Sequence, residues 1–122
     1  MKIETLFFDK LKSIIPERSK KNIFFFSVSN TSYEAFFYSY IDDIPVQCYK
    51  LTEQGKLDER ELDIVFEDVV KTFKDLKHYH KDKKNIITVI ISKAGITLDI
   101  EYYDKTSRIY EIKKDWKEKY NI

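Results

Sequence analysis

His78 and His80 flank Tyr79, and such a pair, joined by a carboxylate such as Asp75 or Asp82, would have the donor types of a zinc site. The same residues suit an exposed basic helix end, where a histidine complements the helix dipole. We adopt that reading and expect no metal or other cofactor. Asp99 and Glu101 fall on one face of an alternating segment with Asp104 nearby, a carboxylate grouping that Mg²⁺-dependent phosphoryl enzymes use. No lysine or histidine completes it at a diagnostic spacing, so it reads as the wet face of a hairpin. Gly55 and Gly95 are the only glycines, too few for a glycine-rich phosphate loop. Cys48 is alone, which rules out an intrachain disulfide and leaves a cysteine-based zinc site without partners. The histidines have no serine or cysteine context that sets up a nucleophile. A non-enzymatic chain is expected.

Charge carries more information than any of these groups. Residues 31–68 hold ten acidic side chains against three basic ones, a net charge of −7, while the flanks carry +3 and +5 and bring the whole chain to +1. Separated acidic and basic sectors steer and orient a charged partner, acting mostly on association rate and register. Asp42, Asp43, Asp58, Glu59, Glu61, Asp63, Glu67 and Asp68 are too many like charges in one region to be explained by capping, because a cap and the helix dipole need only the first turn. Ile64 stands among them, roughly 200° from Leu62 at about 100° per residue. An apolar residue ringed by charge is a candidate interface anchor; single exposed isoleucines are also common and need no explanation. The basic half offers a second reading. Lys71–Lys84 positions, Lys105, Arg108, Lys113, Lys114, Lys117 and Lys119 could meet phosphates while Tyr110, Trp116 and Tyr120 stack on bases. Interspersed acids and the helical spacing of those aromatics argue against direct nucleic-acid binding.

The elements that must position these residues are readable from periodicity. Ile3, Leu6, Phe7, Leu11, Ile14 and Ile15 recur at helical spacing until Pro16. Residues 23–28 and 33–40 are dense in aromatic and branched side chains around a polar turn, the pattern of a β-hairpin. A turn at Asp42 and Asp43 leads to a third strand over 46–49, with Pro45 at its start and Cys48 inside it, and residues 50–56 form a polar connection. Leu62, Val65, Phe66, Val69, Phe73 and Leu76 then trace one face of a long helix, with Asp58 as N-cap and Glu61 in capping-box position. Burying that stripe contributes on the order of 10 kcal/mol before entropy is subtracted. A basic tail over 77–84 precedes a hairpin of residues 86–92 and 96–103. Ile109, Ile112, Trp116 and Tyr120 form a last helix behind Thr106 and Ser107, with a sixth strand over 108–112 as the alternative.

A chain of 122 residues is the size of one domain, and its nine Phe and nine Tyr supply a bulky core. The expected fold is α+β: a five-stranded, mainly antiparallel sheet with the long central helix on one face and shorter terminal helices, over residues 1–122. The N-terminal segment lacks the pattern of a secretory signal, and no run approaches the roughly 20 apolar residues of a membrane span. A cytoplasmic protein with no membrane partner is expected.

The helix ending in Ile14-Ile15-Pro16, the aromatic strand over 33–40 with its acidic turn, the helix carrying Phe66, Phe73 and Leu76, the strand end Ile100-Glu101-Tyr102-Tyr103-Asp104 and the terminal Trp116-Lys117-Glu118-Lys119-Tyr120-Asn121-Ile122 together resemble the YezG-like antitoxin family of bacterial immunity proteins. The resemblance covers most of the chain and rests on architectural positions. It implies an immunity protein that binds and neutralises a cognate toxin, commonly a nuclease, without catalysis. The acidic sector would then face a basic partner.

Overall fold

The computed structural model describes residues 2–122. Four helices and five strands follow the order α1 (Ile3–Leu11), β1 (Lys21–Val28), β2 (Tyr33–Ile41), β3 (Ile44–Gln47), α2 (Cys48–Glu53), α3 (Glu59–Lys74), β4 (Lys83–Ser92), β5 (Gly95–Asp104) and α4 (Ile109–Lys119), with a 3-10 turn (Lys12–Ile14) after α1. The strands form one sheet in the order β3-β2-β1-β4-β5, and every adjacent pair is antiparallel. The expected α+β class is the observed one.

Three consecutive phenylalanines show why β1 is central. Successive side chains of a strand point to opposite faces, so Phe24 and Phe26 go one way and Phe25 the other, and all three are fully buried. On one face Phe24 stacks on Phe37 across the strand pair (centroids 4.5 Å apart), and Phe26 meets Phe66 of α3 edge-on. On the other face Phe25 stacks on Phe36 (4.8 Å) and both meet Trp116 of α4 edge-on. Helices α1 and α3 therefore cover one face and α4 the other, and β1 between two covered faces is buried from Asn22 to Val28. Trp116 Nε1 donates to Thr88 Oγ1 at 2.9 Å, which satisfies both buried polar groups.

The turns are specific. Asp42 and Asp43 both have positive φ (55° and 63°) between the paired residues Ile41 and Ile44, a two-residue turn whose twist matches the flanking strands. Asp58 caps α3, its carboxylate accepting from the Arg60 N–H at 3.0 Å. The buried stripe of α3 is Leu62, Phe66, Val69, Val70 and Phe73; Leu76 packs on the core from beyond the helix end.

Four local expectations are corrected. The third strand is Ile44–Gln47, with Pro45 inside it, and the segment expected as strand end and polar connection is helix α2. Cys48 and Leu51, one helical turn apart, are both buried, and Gly55 (φ 72°) ends the helix: the Gly55 N–H donates to Thr52 O and the Lys56 N–H to Leu51 O. Helix α3 ends at Lys74, before Leu76. Strand β4 starts at Lys83 because buried Asn85 wires the preceding turn, accepting from the His80 N–H and donating to the carbonyls of Val28, His80 and Lys83. Arg108 occupies the N-cap position of α4 without a side-chain capping bond, while Thr106 donates through its N–H and hydroxyl to Asp104. The last helix closes on Asn121, whose positive φ (58°) gives the same cap geometry as Gly55.

Candidate protein-docking surface

The acidic residues of α3 divide by angle. At about 100° per residue, Ile64 stands opposite the centre of the buried stripe, Asp63 and Glu67 lie about 40° apart on one flank, and Glu61 and Asp68 lie about 20° apart on the other. The second flank faces α1: Lys10 donates to Asp68 at 2.9 Å. Glu61 and Asp58 line a groove of about 580 Å³ whose other walls include Ile15, Pro16, Arg18 and Ile41. Asp42 and Asp43 sit at the next turn, with Asp43 3.7 Å from Lys20. Glu59 is exposed on the first turn of α3. One sequence segment thus supplies three separate surfaces.

The first flank adds residues that the charge pattern does not reveal. Tyr33, the first residue of β2, is 43% exposed, and Tyr49 of α2 is 37% exposed. Burial and then the charges of Glu67 and Asp63 raise the Tyr33 phenol above its usual pKa. Burial, followed by Cys48, Asp63 and Tyr33, pushes Tyr49 up to about 12. Tyr33 thus feels the charges of both Glu67 and Asp63, and Tyr49 those of Asp63 and Glu34. The Tyr49 hydroxyl donates to Ala35 O at 3.1 Å, and the Phe37 N–H donates to Cys48 Sγ at 3.5 Å, so α2 covers the part of the β2 edge that β3 does not reach. The Tyr49 ring is held in place by its hydroxyl bond to the Ala35 carbonyl. Ile64, 61% exposed, is adjacent on the crest of α3, one helical turn from Glu67, which pairs with Lys71 at 3.0 Å. Tyr33, Tyr49, Asp63, Ile64 and Glu67 form one amphipathic surface. The sequence conceals the tyrosines because both stand in apolar runs that read as core; Tyr33 at a strand's first residue, beside a polar turn, is the one available signal.

The groups read for catalysis are drawn into structural roles. Lys119 donates to Glu101 at 2.7 Å and lies 3.7 Å from Asp99, so an ammonium occupies the space between the two carboxylates. Its hydrogen bond is the main cause that holds Glu101 below the usual carboxylate range. Asp104 points to the other face and binds Thr106. His80 packs edge-on against Tyr102, whose hydroxyl donates to His78 O. Among the described residues no group of three His, Cys, Asp or Glu side chains is arranged to hold a metal ion. Burial raises the Cys48 thiol to about 11, which leaves it protonated near neutral pH. Of the three aromatics considered for base stacking, Trp116 is buried and Tyr120 packs on it at 5.3 Å, while Tyr110 is exposed. Among the described residues no helix is long and apolar enough to cross a membrane.

No family model matches this sequence, and a search of the curated proteins finds no relative.

Proposed function

We propose that this chain is an immunity protein that binds and neutralises a basic toxin, most simply a nuclease domain, without catalysis of its own. The observation that carries the reading is half-exposed Tyr33 and Tyr49 within the fields of Asp63 and, for Tyr33, Glu67, on the side of α3 that also exposes Ile64. Tyrosine is enriched where interfaces concentrate their energy, since a ring offers large contact area with few torsions to freeze. Carboxylates around the rings favour arginine and lysine on the partner, by charge and by the attraction of cations to aromatic faces. A nuclease that grips nucleic acid through cations presents that complementary surface.

The net −7 of residues 31–68 then acts at long range, raising the encounter rate with a basic partner, while Ile64 and the tyrosines act on the lifetime of the complex. A conventional stable interface buries about 1,600 Å² in total, so the surface would extend beyond the five residues onto neighbouring parts of α2 and α3. The sequence resemblance to YezG-like antitoxins supports the same reading. Co-expression with the cognate toxin tests it: the chain should rescue growth and co-purify with the toxin, and failure of both would reject the proposal.

A further inference from the structure

Not every cation of this molecule is neutralised. The described ion pairs engage Lys10, Lys12, Lys20, Lys50, Lys71, Lys113 and Lys119. None involves Lys81, Lys83, Lys84 or Lys105, which converge with Asp82 on a cavity of about 350 Å³ at one end of the sheet. Three chain segments build it: the 29–32 turn between β1 and β2, the approach to β4, and the turn after β5. The turn side is polar and fixed, with the Ser29 N–H donating to Ser32 O at 2.9 Å and the Ser29 hydroxyl 3.1 Å from that of Ser32. Lys84 donates to Ser107 O and Lys74 to Asn30 O, which brings a fifth ammonium to the rim. Asn85, through its bonds to Val28, His80 and Lys83, fixes the lysine-bearing segment to β1.

The four ammoniums outnumber the two carboxylates near them, Asp82 in the lining and Asp104, which stands across the strand pair from Lys83 and feels the charges of Lys83 and Lys105; an anion bound in the cavity relieves the remaining repulsion. The lining contains no aromatic or apolar side chain, so it recognises charge and hydrogen-bond acceptors and cannot read a base. We infer that this cavity binds a run of adjacent phosphate groups, with the lysines pairing to phosphate oxygens and the hydroxyls of the 29–32 turn donating to them. The site adjoins the docking surface at Tyr33, which follows the 29–32 turn, but shares no residue with it and does not depend on the immunity reading. Phosphates in a row occur as a free polyphosphate anion or as a nucleic-acid backbone. The cavity's limited size favours the free anion.

Calorimetric titration of the full chain with inorganic tripolyphosphate, and with a thymidylate oligomer of about 20 nucleotides, tests the site and distinguishes the sources. Tripolyphosphate should bind at about 50 mM salt and weaken as salt rises. Lys83→Gln combined with Lys105→Gln should weaken it at least about tenfold, whereas Lys93→Gln, which removes a lysine at the opposite end of the sheet, should change it less than about twofold. Circular dichroism checks folding, and all three lysines are exposed. Binding that survives the double substitution, or no binding of tripolyphosphate at millimolar concentration, would overturn the inference. Oligomer binding that tripolyphosphate fails to displace would overturn the free-anion assignment.

Discussion

Lys10 of α1 donates to Asp68 of α3 at 2.9 Å, joining the two helices that cover one face of the sheet. Asp68 is therefore engaged within the fold, although sequence alone groups it with Glu67. Lys10 is partly buried and Asp68 is open to solvent, and pairs that solvent reaches contribute about 0–1 kcal/mol. Asp68→Asn should lower stability by no more than about 1 kcal/mol in urea unfolding, and a double-mutant cycle with Lys10→Met should return a coupling of the same size.

Trp116 joins α4 to the opposite face through the Thr88 hydroxyl and the rings of Phe25 and Phe36. Trp116→Phe removes the indole donor and leaves part of its volume empty, which should cost about 1–3 kcal/mol. Trp116→Ala should cost about 3–5 kcal/mol. Urea unfolding followed by far-ultraviolet circular dichroism measures both.

Cys48 is fully buried, accepts the Phe37 N–H and has its thiol raised to about 11 by burial. The native protein should react with a maleimide near neutral pH at least about a hundredfold more slowly than the denatured chain, because reaction needs both exposure and thiolate. Equal rates would place the thiol at the surface.

Glu101 is held below its ordinary pKa chiefly by the Lys119 hydrogen bond. A carboxyl with a depressed folded pKa contributes stability that is complete above its unfolded value, about 4.3, and is lost as pH falls through the lower folded value. Lys119→Gln should thus be less stable than wild type near neutral pH, and the difference should disappear in acid. Urea midpoints measured from about pH 7 to pH 2 report it.

Much of this architecture is written in periodicity. The 3.6-residue spacing of Leu62, Phe66 and Phe73 and the cap at Asp58 specify α3, dense aromatic runs around a polar turn specify the first hairpin, and alternation over residues 96–103 specifies the second. Helix α2 is hidden because six residues cannot establish a period; the buried Cys48–Leu51 pair and Gly55 are its only marks. The docking surface is less legible still. Sequence proximity joins eight acidic residues, whereas the helix turns Asp68 toward α1 and Asp63 toward β2, and chain reversal brings Tyr33 and Tyr49 beside Asp63. Such long-range neighbours leave no local pattern.

For the proposed immunity function the most direct measurement is the kinetics of binding to the cognate basic toxin, followed by surface capture for wild type, Asp63→Lys with Glu67→Lys, Ile64→Asp and Tyr33→Ala. The double charge reversal should slow association by about tenfold and flatten its salt dependence. Ile64→Asp and Tyr33→Ala should chiefly speed dissociation, since most interface contacts act on lifetime. Circular dichroism spectra matching wild type would confirm that each variant is folded. Unchanged association and dissociation rates in these folded variants would contradict the account and remove the Tyr33–Ile64 surface from the interface.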